Sequence, residues 1–406
     1  MLFKDIIGQQ EVKEQLIELV QHNRLSHALL FIGKEGSGAL PLALTFAQYV
    51  GTTGQAAVNA ATVSLFGSEP VANGKLSALP ASVPGADEWM QKQPAYSKLK
   101  DFVHADIHFS YPVVTKKSGT PPISADYISE WREFIKSYPY GNVYDWLQFI
   151  GAENKQGNIT AHECNDIIRK LSLKSFESEY KVLIMWMPEY LGNEGNKLLK
   201  LIEEPPANTL FILVAENESQ VLPTILSRCQ LIRIPALETK DIEEALISRN
   251  KTEPQIARQT ASVSEGNYRE ALQMLQHADE DWQSLLRDWL NAILKTGPVA
   301  QTKWVEEISK LGRERQKQFL RYFNHLLEQA IRRGIMGDNF YLPEKEKDFA
   351  ERLNKIASLA QQQAIIEELD KAAYYIERNA NAKILFHALT IKLYHIIQDK
   401  IVFLTA

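Results

Sequence analysis

The sequence predicts an α/β domain, a parallel sheet covered on both faces by helices, followed by a small helical unit and an all-α C-terminal third. Short apolar runs at residues 28–32, 182–187, 209–215 and 231–234 are separated by helical stretches, the pattern of buried parallel strands. A glycine-punctuated turn, residues 33–38, joins the first run to a helix. Beyond residue 280, apolar residues recur at three- and four-residue steps with no strand signal.

The bulk properties fit such a chain. At 406 residues it is too long for one compact core, and two to four domains are expected. With 45% hydrophobic and 23% charged residues the composition is that of a globular protein, and no apolar run is long enough to span a bilayer. The first residues turn charged at Lys4 without a signal peptide's apolar core, so a cytoplasmic location is expected. Cys164 and Cys229 are far apart and each lies beside polar residues, which supports neither a disulfide framework nor a zinc cluster. A net charge of -5 gives no overall drive toward a phosphate backbone; DNA contact would need a local patch or partners.

In chain order, residues 1–50 read as an extended opening, an amphipathic helix around Val12, Leu16 and Leu19, a strand, the glycine turn and a second helix. Residues 51–86 are rich in Ala, Gly, Ser, Thr and Pro with no helical stripe, which suggests a loose insertion reaching to about residue 100. Helical patterns resume over 123–175. A helix between the second and third runs ends at Glu203-Glu204-Pro205-Pro206, where the prolines remove donors and force extension. Residues 237–280 form a small helical unit with Gly266 between its last two helices. In the last third, Phe319, Phe323, Leu326 and Ala330 form one stripe and Leu385, Leu389, Leu393 and Ile396 another, the core positions of a helical bundle.

The glycine turn has the frame of a phosphate-binding loop without its chemistry. Such a loop cradles phosphates with backbone amides, neutralises them with a lysine and holds magnesium with a hydroxyl. Gly33, Gly36 and Gly38 stand where the loop glycines belong, but the lysine and hydroxyl positions are Ala39 and Leu40. At the end of the second apolar run, where a working site needs an aspartate for magnesium and a glutamate for water, the chain has Trp186 and Met187, with Glu189 beyond them. The polar sensor expected near Ala215 and Glu216 is not evident.

Further motifs carry a family resemblance. Ile6-Ile7-Gly8-Gln9, His27-Ala28-Leu29-Leu30-Phe31, the eleven residues 196–206, Leu222-Pro223-Thr224-Ile225-Leu226-Ser227-Arg228-Cys229, and Gly266-Asn267-Tyr268-Arg269 occur in the order found in AAA+ clamp-loader ATPases. The resemblance covers nearly the whole chain, and implies an AAA+-type domain over 1–236, a helical lid over 237–280 and a helical collar for oligomerisation over 281–406. Within the family, lost lysine and acids with a retained arginine look like the delta-prime subunits of bacterial DNA polymerase III, and the Trp186-Met187-Pro188 variant is most similar to members from the Bacteroides group. The resemblance implies a subunit without ATPase activity of its own. It would be a static arm of a ring with gamma/tau and delta subunits that loads the sliding clamp on primed DNA, an enzyme component of DNA polymerase III by membership only. ATP and magnesium would then belong to neighbouring subunits, and Arg228 would be an arginine finger acting in trans, a role that a planar, permanently charged guanidinium suits. Arg269 matches a second sensor and would here set the angle between domain and lid. Cys229 is assigned to packing.

The family's zinc module would fall near residues 90–98, where Met90, Gln93 and Tyr96 stand at ligand spacing without a thiolate; no zinc is expected, and His104 and His108 lack further ligands. Two other functions fit the residues less well. An active gamma/tau-like ATPase would have to reach phosphate through Lys34 with no carboxylate for magnesium, and a solitary DNA-binding module would have to overcome an acidic balance.

Overall fold

Five strands, β1 (Ala28–Gly33), β2 (Ile107–Ser110), β3 (Lys181–Trp186), β4 (Thr209–Ala215) and β5 (Gln230–Ile234), form one parallel sheet in the order β2-β3-β4-β1-β5. The computed structural model describes residues 1–53, 79–116, 119–153, 155–276, 282–337, 344–377 and 380–400. The chain divides into two compact units, Met1–Gln276 and His277–Ala406.

Side chains alternate across a strand, so the central strands β1, β3 and β4 feed two cores. Leu29, Phe31, Val182, Ile184, Trp186, Leu210, Ile212 and Val214 join one core, which includes helices α1 (Gln10–Gln21) and α2 (Ala39–Thr53). Ala28, Leu30, Leu183, Met185, Phe211 and Leu213 join the other, with Cys164, Ile167 and Leu171 from the helix Ala161–Ser172. Both faces of β3 and β4 are therefore buried, and every residue of these strands is apolar except Lys181 and Thr209 at their starts.

Strand β2 is not among the apolar runs read from the sequence. It has four residues, two of them polar, and pairs only with β3 at the sheet edge, too short and mixed to stand out by pattern.

The loose insertion expected to reach residue 100 needs correction over its second half. Residues 83–92 and 96–100 are helical, and Val83, Ala86, Met90 and Leu99 are buried in the first core. The Asp87 carboxylate accepts from the backbone N–H groups of Phe3 (2.7 Å) and Lys4 (3.0 Å), tying the helix to the N-terminal segment. Met90 is fully buried, so at this position of the expected zinc-module remnant the side chain is packing. Residues 54–78, the remainder of that insertion, lie outside the described residues.

The motif helix before the double proline is α-helical only over Leu199–Glu203; residues Pro188–Leu198 are a 3-10 stretch broken at Gly192 (φ 51°). The helices Thr239–Asn250, Pro254–Val263 and Tyr268–Gln276 form the small helical unit, whose core of Ile242, Leu246, Ala257 and Ala261 is completed by Ile7 and Tyr140. Gly266 (φ +86°) accepts from the Leu237 amide at 3.2 Å. A Cβ there would lie 2.7 Å from that of Ala236, so glycine is required on both counts.

The second unit is all-helical among its described residues, from Trp282–Asn291 to Ala382–Gln398. Trp289 and Trp304 stack at 4.5 Å, and the Trp289 indole donates to the Thr390 hydroxyl at 3.0 Å. Phe319, Phe323, Leu326 and Ala330 are all buried, as are Leu389, Leu393 and Ile396; Leu385 packs at the margin.

Candidate functional site

The turn after β1, read from the sequence as a phosphate-loop frame, is a compact glycine turn. Gly36 (φ +71°) and Gly38 (φ +90°) adopt left-handed conformations, the Ser37 amide closes a turn on the Lys34 carbonyl (3.1 Å), and Gly38 accepts the first bond of α2 from Leu42 (3.1 Å). Immediately after the loop the side chains are hydrocarbon. Ala39 and Leu40, at the positions of lysine and hydroxyl, are buried in the first core. Lys34 is exposed at the rim.

The acidic positions are likewise packing. Trp186 ends β3 with its ring 5.2 Å from Trp131 and 6.1 Å from Phe134, inside an aromatic cluster. Met187 is buried in a left-handed backbone (φ 59°). Glu189 turns away from the loop: its Oε1 accepts from the amides of Glu216 (2.7 Å) and Asn217 (3.0 Å), capping the end of β4, and burial pushes its pKa up against those bonds. The place where a polar sensor is expected is thus occupied by main chain bound to a carboxylate.

Arg269 is brought to the loop, where it meets two carboxylates that the sequence analysis did not single out, Glu35 within the loop and Asp145. Its guanidinium is 4% exposed and grips Asp145 as a fork, Nε to Oδ2 at 2.5 Å and Nη2 to Oδ1 at 2.7 Å, while Nη1 reaches Glu35 Oε1 at 2.8 Å. Glu35 also accepts from Asn142 (3.0 Å) and Asn267 (3.3 Å). Asp145 is positioned by the helix Val143–Phe149, whose start is a capping box between Asn142 and Asp145. Two signals for these residues are present in the sequence: a carboxylate inside a loop built for phosphate, and the Asn-x-x-Asp box. The cavity left among the loop, Pro139–Gly141, Trp186 and Met187 is about 30 Å³, room for one or two waters.

Arg228 lies apart from this site, just before the edge strand β5. The four-residue helix Pro223–Leu226 delivers it, and its head is held within the same chain: Nε to Glu203 Oε1 at 2.5 Å, Nη1 to the Thr224 carbonyl at 2.6 Å and to the Ser227 hydroxyl at 3.2 Å. A third of the side chain remains exposed. Cys229 is half-buried against the second core and Cys164 is buried; burial pushes both thiols up to about 11. His104 is buried, with Nδ1 accepting from the Asp106 amide (3.2 Å), and burial lowers its pKa. Among the described residues no three His, Cys, Asp or Glu side chains gather as a metal site, and no helix is long and apolar enough to cross a membrane.

A family model described as DNA polymerase III, delta subunit, matches residues 94–238. Subunit delta' of DNA polymerase III from Bacillus subtilis is 25% identical over 66% of this chain, and subunit tau of the same organism is 26% identical over 57%. The matches span 59% and 43% of those two relatives' lengths. A gamma subunit-related protein of Thermotoga maritima aligns over 96% of this chain and 99% of its own at 14% identity, with a TM-score of 0.35. In its parallel sheet, in the order of its motifs, in the family match over residues 94–238 and in its Bacillus relatives, the chain resembles the clamp-loader subunits of DNA polymerase III, delta' among them.

Proposed function

We propose that the chain is the ATPase-inactive, delta-prime-like arm of a clamp-loader ring that places the sliding clamp on primed DNA in the cytoplasm. Its partners would be gamma/tau and delta subunits, with ATP and magnesium in the neighbours' sites. The observation that carries this reading is the phosphate loop whose lysine and hydroxyl positions are the buried Ala39 and Leu40, with Trp186 in the aromatic core in place of an acid. Phosphoryl transfer depends on metal and charge placement, and none of these groups supplies either.

Arg228 then acts outside its own chain. Its partly exposed place before edge strand β5 is consistent with a guanidinium offered across a subunit boundary to a triphosphate. The test is DNA- and clamp-stimulated ATPase of the reconstituted loader with this subunit or its Arg228→Ala form, at matched assembly. Turnover is expected to fall by about 10³-fold or more at the site served, the magnitude typical of a trans-acting arginine. Unchanged turnover in an intact ring would remove the finger role. Hydrolysis by the isolated chain would favour the gamma/tau-like reading.

A further inference from the structure

Four separate segments meet here: the N-terminal residues 6–9, the loop 33–38, residues 140–145 and the helical lid. All the links between them are made by the chain's own groups. Tyr140 is buried with its ring against Gly38 and edge-on to Tyr268 of the lid (5.0 Å), and its hydroxyl accepts from the Ile7 amide at 2.8 Å. Burial pushes that phenol up to about 12, so it stays a neutral hydroxyl. Glu35 and Asp145 share the fork of Arg269 from the lid. The Tyr268 amide donates to the Gly36 carbonyl (3.3 Å), and a Cβ on Gly36 would collide with Asn267, so lid and loop are in direct contact. Gln9 closes the ring by donating to the Ser37 (3.0 Å) and Pro235 (2.7 Å) carbonyls.

The chemistry of this filling is that of a nucleotide: an aromatic ring with one hydrogen-bonding group, and clustered negative charge on an arginine and beside backbone amides. We propose that Tyr140, Asp145 and Glu35 form a built-in ligand that holds the lid closed, so that the lid's position is independent of any nucleotide. A ligand shifts an equilibrium only by differential affinity for the two states. Here the closed state is already saturated by covalently attached groups, and an external triphosphate finds its countercharge on Arg269 already taken by Glu35 and Asp145. The inference concerns the free chain and stands whether or not Arg228 serves a neighbour.

The experiment is hydrogen exchange on the full chain, comparing amides of residues 239–276 with those of β3 and β4. In the wild-type chain, millimolar magnesium and adenosine 5′-(γ-thio)triphosphate should leave lid exchange unchanged. In Glu35→Ala/Asp145→Ala the lid should exchange on the order of a hundredfold faster, as expected when a buried arginine loses its partners, while β3 and β4 keep their protection. Tyr140→Phe, which removes only the hydroxyl, should accelerate lid exchange by roughly fivefold. Lid exchange unchanged in the double variant, or slowed by the nucleotide analogue in the wild-type chain, would overturn the proposal. If the double variant loses sheet protection as well, Glu35→Gln decides it: faster lid exchange with the sheet intact supports the built-in ligand, and wild-type exchange rejects it.

Discussion

The proposed finger role would require Arg228 to reach into a neighbouring site, yet its guanidinium is already engaged within its own chain. Arg228 pairs with Glu203, side chains 33% and 44% exposed, and donates to the Thr224 carbonyl. If it serves a neighbour as proposed, it must give up the carboxylate to extend, and the pair would lower the fraction of subunits ready to act. At this exposure the pair is worth up to about 1 kcal/mol. Glu203→Gln keeps the shape and removes the charge; in a reconstituted loader it should raise ATP turnover at limiting ATP by up to about fivefold. The gain should shrink as salt screens the pair in the wild-type protein. The assay is a double-mutant cycle with Arg228→Ala, in whose background Glu203→Gln should change nothing. Equal stimulation with and without Arg228, or a slower Glu203→Gln loader, would refute the idea that this pair restrains the arginine.

Two predictions concern the scaffold. The buried Asp106 carboxylate accepts from the amides of Phe176, Glu177 and Ser178, each at 2.7 Å, and so pins the loop before β3. Asp106→Ala removes three charge-assisted bonds, about 2–4 kcal/mol after water replaces some, and chymotrypsin should cut after the 81%-exposed Phe176 about 30-fold faster or more; an unchanged rate would show that the loop is held otherwise. In the helix Arg313–Met336, burial and then Arg332 depress the pKa of His325 to about 4. A depressed folded pKa means stability that is present above the unfolded value near 6.5 and lost as pH falls toward 4, at most about 3 kcal/mol, so His325→Gln should flatten the fall in thermal stability over that window. A wild-type slope in the variant would rule His325 out as its source.

The sequence by itself determined the sheet's buried strands and the helical C-terminal third, and it carries the order of motifs on which the family resemblance rests. Continuous apolar runs, glycine turns and a double proline act locally, and their order along the chain is legible without coordinates. It also determined what the phosphate loop lacks, because Ala39, Leu40, Trp186 and Met187 are the wrong chemistry whatever surrounds them. Edge strand β2 escaped because four residues, half of them polar, carry too little periodicity. The helices of residues 83–100 escaped because their burial depends on distant partners, such as the Phe3 and Lys4 amides that Asp87 receives from 84 and 83 residues away. Only the tertiary structure decided which groups gather at the glycine loop and what holds Arg228. Glu35 and Arg269 are 234 residues apart, and Asp145 and Arg269 124 apart, so their pairing follows from the packing of lid on loop and leaves no trace in local pattern. Spacing along a chain shows what a segment prefers to become; which charges finally face one another is decided where segments of unrelated sequence are buried together.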